Sequence, residues 1–178
     1  AVELIRRAWA GTRFTFEGAY YTASEYTGGP APLQQPGPPL LIGSGAPNLL
    51  AYAARTADIV AFAPRPLRDG SGLVWRDISL ESVTNKVAWV REAAADRPDR
   101  PEISCNVFAI ETDADADTAA ARLGDRLGCD ADLVRESPHV WLGSVEHIVE
   151  RLCQLRERLG ISYYTILGDL DLLEAGAP

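Results

Sequence analysis

A chain of 178 residues, 47% hydrophobic and 24% charged, is long enough for one domain with a real core and excludes a disordered tail. The formal net charge is −8 and Lys86 is the only lysine; with no basic stripe, neither nucleic acid nor an anionic membrane is an expected partner. No apolar run approaches the length of a bilayer span and no basic-then-apolar leader is visible, so the expected location is the cytoplasm.

Cys105, Cys129 and Cys153 are scattered without C-x-x-C spacing, in apolar or helical settings, and are expected to be reduced and structural. The chain has no methionine and opens on AVELIRRAW, which reads as the interior of a helix. The expectation is a piece of a longer polypeptide.

Val2, Ile5 and Trp9 fall at helical spacing, so residues 2–10 read as an amphipathic helix closed by Gly11. Phe14 and Phe16 alternate with polar residues, Glu17-Gly18 makes a turn and Tyr20-Tyr21-Thr22 returns, which predicts a hairpin-like excursion. Residues 28–39, rich in proline and glycine, read as an extended connection, so residues 12–39 are taken as an insertion and linker within a single partial domain of residues 1–178.

Residues 38–58 read PPLLIGSGAPNLLAYAARTAD. Leu40, Leu41 and Ile42 form a short apolar run without alternation, the pattern of a strand covered on both faces. Gly43-Ser44-Gly45 ends it, Pro47 suits a first helical turn, and helix formers follow to Ala57. Free N–H groups and the positive end of a helix dipole would point out of this turn, a seat for a phosphate or a carboxylate.

Residues 58–63 predict a second buried strand ended by Pro64, followed by a loop longer than a simple βα connection and carrying Arg65, Arg68, Asp69 and Arg76. Residues 80–95 read as a helix with Val83, Val87 and Val90 on one side, and residues 102–111 as a third strand. Asp113 is the expected cap of an acidic helix reaching about Leu127, and its DADAD run reads as a solvated face; calcium chemistry lacks the glycine and distant glutamate of an EF-hand, so no metal is expected. Residues 133–142 look irregular, broken at Ser137-Pro138-His139. Ser144 then caps a helix whose stripe is Val145, Ile148, Val149, Leu152, Leu155 and Leu159, with Gly160 as its stop. Residues 161–167 predict a fourth strand, and the tail beyond Gly168 a short helix.

This βα alternation predicts an α/β fold with a parallel sheet, either an open doubly wound sheet or part of a (β/α)8 barrel. FEGAYYT, PPLLIGSGAPNLLAYAARTADIV and SPHVWLGSVEHIVERLCQLRERLGISYYTIL decide between them. Together they resemble the luciferase-like family of flavin- and deazaflavin-dependent oxidoreductases, in the branch that uses coenzyme F-420. The resemblance implies a (β/α)8 TIM barrel on the order of 300 residues, of which the four βα units here are about the carboxyl-terminal half. It further implies hydride transfer at a deazaflavin, or alternatively at FMN, whose ribityl-phosphate end is contacted by Gly43, Ser44, Gly45 and Ala46. Asn48 lies one turn further in, and Arg65 and Arg68 become candidates for an anionic group. The groups around the reacting ring come, in that family, from the first four strands, so no catalytic residue is expected here and the fragment alone is expected to be inactive. His139, in a loop, is placed to face the site, whereas His147, beside the apolar stripe of the last helix, reads as structural. Neither has a neighbouring acid or nucleophile that would make a triad by sequence.

The expected partners are a small-molecule substrate and either a second copy of the chain or a missing amino-terminal half. A different class of reading takes the 178 residues as a non-catalytic half-barrel, which leaves two open strand edges and would dimerise or bind a flavin-type ligand. An open-sheet nucleotide-binding module ranks last: the turn lacks the third glycine of a dinucleotide fingerprint, and no lysine is placed to make a P-loop.

Overall fold

In the computed structural model, which describes residues 1–112 and 115–167, the chain divides after Leu40 into two units. The first opens with helix α1, Val2–Trp9, followed by Gly11 at φ +65°. Strands β1, Phe14–Glu17, and β2, Thr22–Tyr26, then pair antiparallel as the alternation predicts. The turn between them is closed by the Gly18 N–H donating to Tyr21 O at 3.0 Å. The Phe14 ring meets Tyr26 edge-on at 5.8 Å, and Arg7 lies over Phe16 at 5.5 Å, so the hairpin is held by aromatic contacts.

The second unit begins with β3, Leu41–Ser44, helix α2, Pro47–Thr56, and β4, Ile59–Phe62. A 3-10 turn, Trp75–Ile78, leads into α3, Leu80–Ala93. Then come β5, Glu102–Val107; β6, Ala109–Glu111; α4, Ala116–Leu127; α5, Ala131–Arg135; β7, Val140–Leu142; α6, Val145–Leu159; and β8, Ile161–Ile166. The main sheet has the order β3-β4-β5-β8 and every pairing in it is parallel.

Register sorts its side chains. Val60, Phe62, Ile103, Cys105 and Ile161 are buried with Leu50 and Ala53 of α2, Val83, Val87 and Val90 of α3, and Leu155 and Leu159 of α6. On the opposite face Gly43, Ala61, Ser104 and Tyr163 stand side by side across the four strands. Helices therefore cover one face, and mostly small residues occupy the central row of the other, the arrangement of strands in a βα barrel.

Three readings need correction. Residues 102–111 form two strands, not one: Val107 O accepts from Leu167 N–H at 2.9 Å beyond the end of β8, whereas Phe108 N–H donates to His139 O at 2.9 Å and β6 goes on to pair with β7. The consecutive apolar residues Val107, Phe108 and Ala109 mark the point where the strand changes partner. Residues 133–142 are not irregular: α5 and β7 lie there, and Val134, Val140 and Leu142 pack with Ile78, Ala120 and Leu123 into a second core cluster. Short elements such as a three-residue strand carry too few residues for periodicity to register.

The third correction concerns the ends of the α6 stripe: Val145 and Val149 are about half exposed, at 51% and 53%, while Ile148, Leu155 and Leu159 are buried. As expected, the Ser144 Oγ accepts from the His147 N–H and Gly160 ends the helix at φ +75°. The cap of α4 is Asp115, whose side chain accepts from Thr118 N–H; the expected cap, Asp113, and the tail helix beyond Gly168 lie outside the described residues. The cysteines are free, but only Cys105 is buried; Cys129 is partly so and Cys153 is exposed.

Leu50, fully buried against α3 and the sheet, and half-exposed Val149 separate core from surface in a direct test. Urea unfolding of Leu50→Ala is expected to show a loss of about 2–5 kcal/mol, and Val149→Ala a change within about 1 kcal/mol.

Candidate functional site

The carboxyl ends of β3 and β4 and the segments that follow them define the site. Ser44 O accepts from Ala63 N–H at 3.1 Å, continuing the β3-β4 ladder by one bond past the strands. Gly45 then passes so close to the neighbouring backbone that a Cβ there would stand 2.5 Å from Ala63 O and 2.7 Å from Arg65 N. Only glycine allows this approach. The Ser44 Oγ accepts from the Ala46 N–H at 3.0 Å, folding the turn over itself, and Pro47 starts α2 without needing an N–H partner.

The first bond within α2 is Leu50 N–H to Ala46 O, so the N–H groups of Asn48 and Leu49 point outward from the end of the helix. Gly43 is exposed, Ser44 and Ala46 are half-buried and Gly45 is buried, which brings backbone and small side chains to the surface together. The Ser44 hydroxyl accepts one bond and still has its proton to donate. Outward amides, a hydroxyl and the positive end of a ten-residue helix make a donor-rich turn whose chemistry suits a phosphate or carboxylate. Asn48 is exposed on that first turn.

The segment after β4 is fixed from below. Arg65 forks the Asp77 carboxylate through Nε at 2.7 Å and Nη2 at 2.9 Å, and its backbone N–H donates to the same carboxylate at 3.0 Å. Arg65 is thus engaged within the fold rather than held ready for a ligand. Burial opposes the charge on Asp77, but the Arg65 hydrogen bonds and the nearby Lys86 charge outweigh it and hold the carboxyl below its usual range. Lys86, 1% exposed, donates from Nζ to Ala63 O and to Asp77 O, both at 3.0 Å. Burial lowers its pKa and the Asp77 charge opposes that shift. Arg68 is exposed on the small loop between Pro66 and Leu73, which pair across it.

Lys86 and Asp77 are the residues that sequence reading missed. The signal was present in Lys86: the only lysine in the chain falls within the Val83, Val87 and Val90 stripe of α3, where a cation must find partners to be buried.

His139 is not at the site. It is fully buried, its Nδ1 donates to Asn106 O at 2.6 Å, and Cys105 Sγ lies 3.3 Å from Nδ1. Burial pushes the Cys105 thiol up and drives His139 down to about 4, so both are neutral and the pair is structural rather than nucleophilic. His147 is exposed on the first turn of α6.

Two consequences are measurable. A Gly45→Ala chain is expected to lose several kcal/mol of stability in chemical denaturation because its Cβ would meet backbone atoms, whereas Gly43→Ala, whose nearest atom would lie at 3.7 Å, is expected to change it by about 1 kcal/mol or less. His139 binds a proton below about 6.5 when unfolded but only below about 4 when folded, so stability falls as pH drops through that window. The loss is on the order of 3 kcal/mol, and a His139→Asn chain is expected to show a shallower pH dependence of its urea midpoint.

Comparison with known proteins follows the same line. A family profile described as luciferase-like monooxygenase matches residues 1–139. An F-420-dependent secondary alcohol dehydrogenase, solved with an F-420–acetone adduct, superposes with a TM-score of 0.67 at 16% identity, covering 93% of this chain and 53% of that one. The coenzyme F-420-dependent tetrahydromethanopterin reductase of Methanopyrus kandleri gives 0.65 at 16% identity, over 94% and 55%. A monooxygenase from Streptomyces bottropensis gives 0.60 at 20% identity, over 93% and 51%. No curated protein sequence matches. The fold is that of parallel βα units forming part of a (β/α)8 barrel, and the chain spans about half the length of these structures. The chain belongs to the luciferase-like monooxygenase family.

Proposed function

We propose that this chain is the carboxyl-terminal half of a luciferase-like oxidoreductase and supplies the seat for the phosphate-bearing end of coenzyme F-420. The observation that carries the reading is the turn at Gly43, Ser44, Gly45 and Ala46, where a hydroxyl and outward amides meet at the start of α2. Those groups fit a ribityl phosphate: they present donors, no carboxylate competes within the turn, and its small side chains leave room for the anion. When bound, the deazaflavin would supply the hydride chemistry. Ser44 would donate its proton to a phosphate oxygen, the Asn48 and Leu49 amides would bond others, and Gly45 would keep the turn pressed against the Ala63–Arg65 backbone.

The F-420-dependent enzymes among the structural relatives favour the deazaflavin, and a riboflavin lyase solved with a modified FMN is the reason FMN is the alternative. The substrate would be a small molecule, as in an alcohol dehydrogenase or a monooxygenase of similar fold. No residue of this chain is assigned a catalytic role. A second reading, a non-catalytic half-barrel that pairs through its open sheet, draws support from the exposure of Leu41 on edge strand β3 and Tyr163 on edge strand β8, at 41% and 43%.

Titration of the full-length protein with F-420 and, separately, FMN, followed by absorbance and fluorescence, tests the reading. Saturable F-420 binding is expected, weakened about tenfold or more in Ser44→Ala, since a hydrogen bond to a charged group is worth roughly 1.5–3 kcal/mol. Binding of FMN alone would transfer the site to the flavin, and binding of neither would overturn the proposal.

A further inference from the structure

Beneath the glycine turn the fold gathers more positive charge than negative. Among the described residues, Lys86, 1% exposed, and Arg65 stand with a single carboxylate, that of Asp77. Arg65 takes up that carboxylate with its guanidinium fork, whereas Lys86 reaches only the backbone carbonyls of Ala63 and Asp77. The other titratable groups that interact with Lys86 are Cys105 and His139, and both are neutral. Two cations against one anion leave a positive charge in excess.

That charge lies directly under the turn. Ala63 O, which accepts from Lys86 Nζ at 3.0 Å, is also the atom that a Cβ on Gly45 would meet at 2.5 Å. One carbonyl thus separates the ammonium from the backbone of the seat. Bonds to carbonyls satisfy the Lys86 donors without cancelling its charge, and burial, the largest influence on Lys86, works against that charge. Screening is weak around a buried group, so the field of Lys86 reaches the outward amides and the Ser44 hydroxyl more strongly than that of a surface lysine would. An anion bound at the turn would feel this charge without touching it.

We propose that Lys86 is an electrostatic positioning residue of the glycine-turn site: its buried charge, unmatched within the cluster of Arg65, Asp77 and Lys86, favours an anionic phosphate at the turn over a neutral group. The inference rests on the proposed seat for a phosphate-bearing cofactor and adds to it a residue that never meets the ligand.

The test is fluorescence titration of the full-length protein with whichever of F-420 and FMN binds, at fixed ionic strength, in variants that change the charge of the cluster in both directions. Lys86→Gln keeps an N–H donor for the carbonyls but removes the charge, and is expected to weaken binding about tenfold. Asp77→Asn removes the negative charge of the cluster and is expected to tighten binding severalfold. A purely structural role predicts weaker binding in both. Arg65→Gln changes a half-exposed side chain and leaves Asp77 to cancel Lys86, so this variant is expected to fold and to bind severalfold more weakly. Weaker binding in Asp77→Asn, or unchanged affinity in Lys86→Gln or Arg65→Gln, would overturn the proposal. If Ser44→Ala weakens binding while the charge variants leave it unchanged, the seat stands and the electrostatic role falls, whereas a protein that binds neither F-420 nor FMN overturns both.

Discussion

The second unit depends on one backbone contact, the seating of Gly45 against the Ala63–Arg65 segment. Two parallel strands that end side by side ordinarily leave their following turns free to diverge. Here the missing side chain of Gly45 lets the β3 turn rest on the chain leaving β4, and Ala63 is held from both sides, by Ser44 O at its N–H and by Lys86 Nζ at its carbonyl. Lys86 ties the same point to Asp77, and Asp77 ties Arg65. A buried cation is costly unless its donors are satisfied, and these carbonyls satisfy it where the long loop after β4 begins. The turn is thereby held in place by the fold alone, which would lower the ordering cost of binding the proposed ligand.

The same division of labour runs through the sheet. Valine, isoleucine, phenylalanine and cysteine side chains face the helices and are buried, while Gly43, Ala61 and Ser104 keep the middle of the opposite face low. Parallel strands place their carboxyl ends together, and in such folds ligands are received there. The family match and the fold do not define the chemistry, because proteins of similar fold include a dehydrogenase, a reductase and a monooxygenase. Function on this fold is decided by the site, not by the scaffold.

Much of this was legible in the sequence. The apolar run at residues 59–62, the glycines and proline around Ser44, and the inward positions Ile148, Leu155 and Leu159 of α6 each have a local cause that needs no tertiary knowledge, whereas residues 40–42 read as covered on both faces although Leu41 is exposed on edge strand β3. What was not legible depends on partners distant in the chain. Phe108 ends one strand and admits another because His139 O, 31 positions away, accepts its N–H. His139 looks like a loop residue by sequence, yet Asn106 O and Cys105 draw it into the core. Arg65 looks like a free cation until the fold brings Asp77 to it across a loop. Local pattern gave the turn its shape, whereas the network beneath it required the assembled sheet.

Backbone hydrogen exchange of the full-length protein with and without coenzyme F-420 tests the central claim most directly. The account predicts new protection concentrated at the amides of Ser44, Gly45, Ala46, Asn48 and Leu49 and extending to those of Ala63 and Arg65 through the Gly45 contact. Protection that fell elsewhere and left these amides unchanged would contradict it.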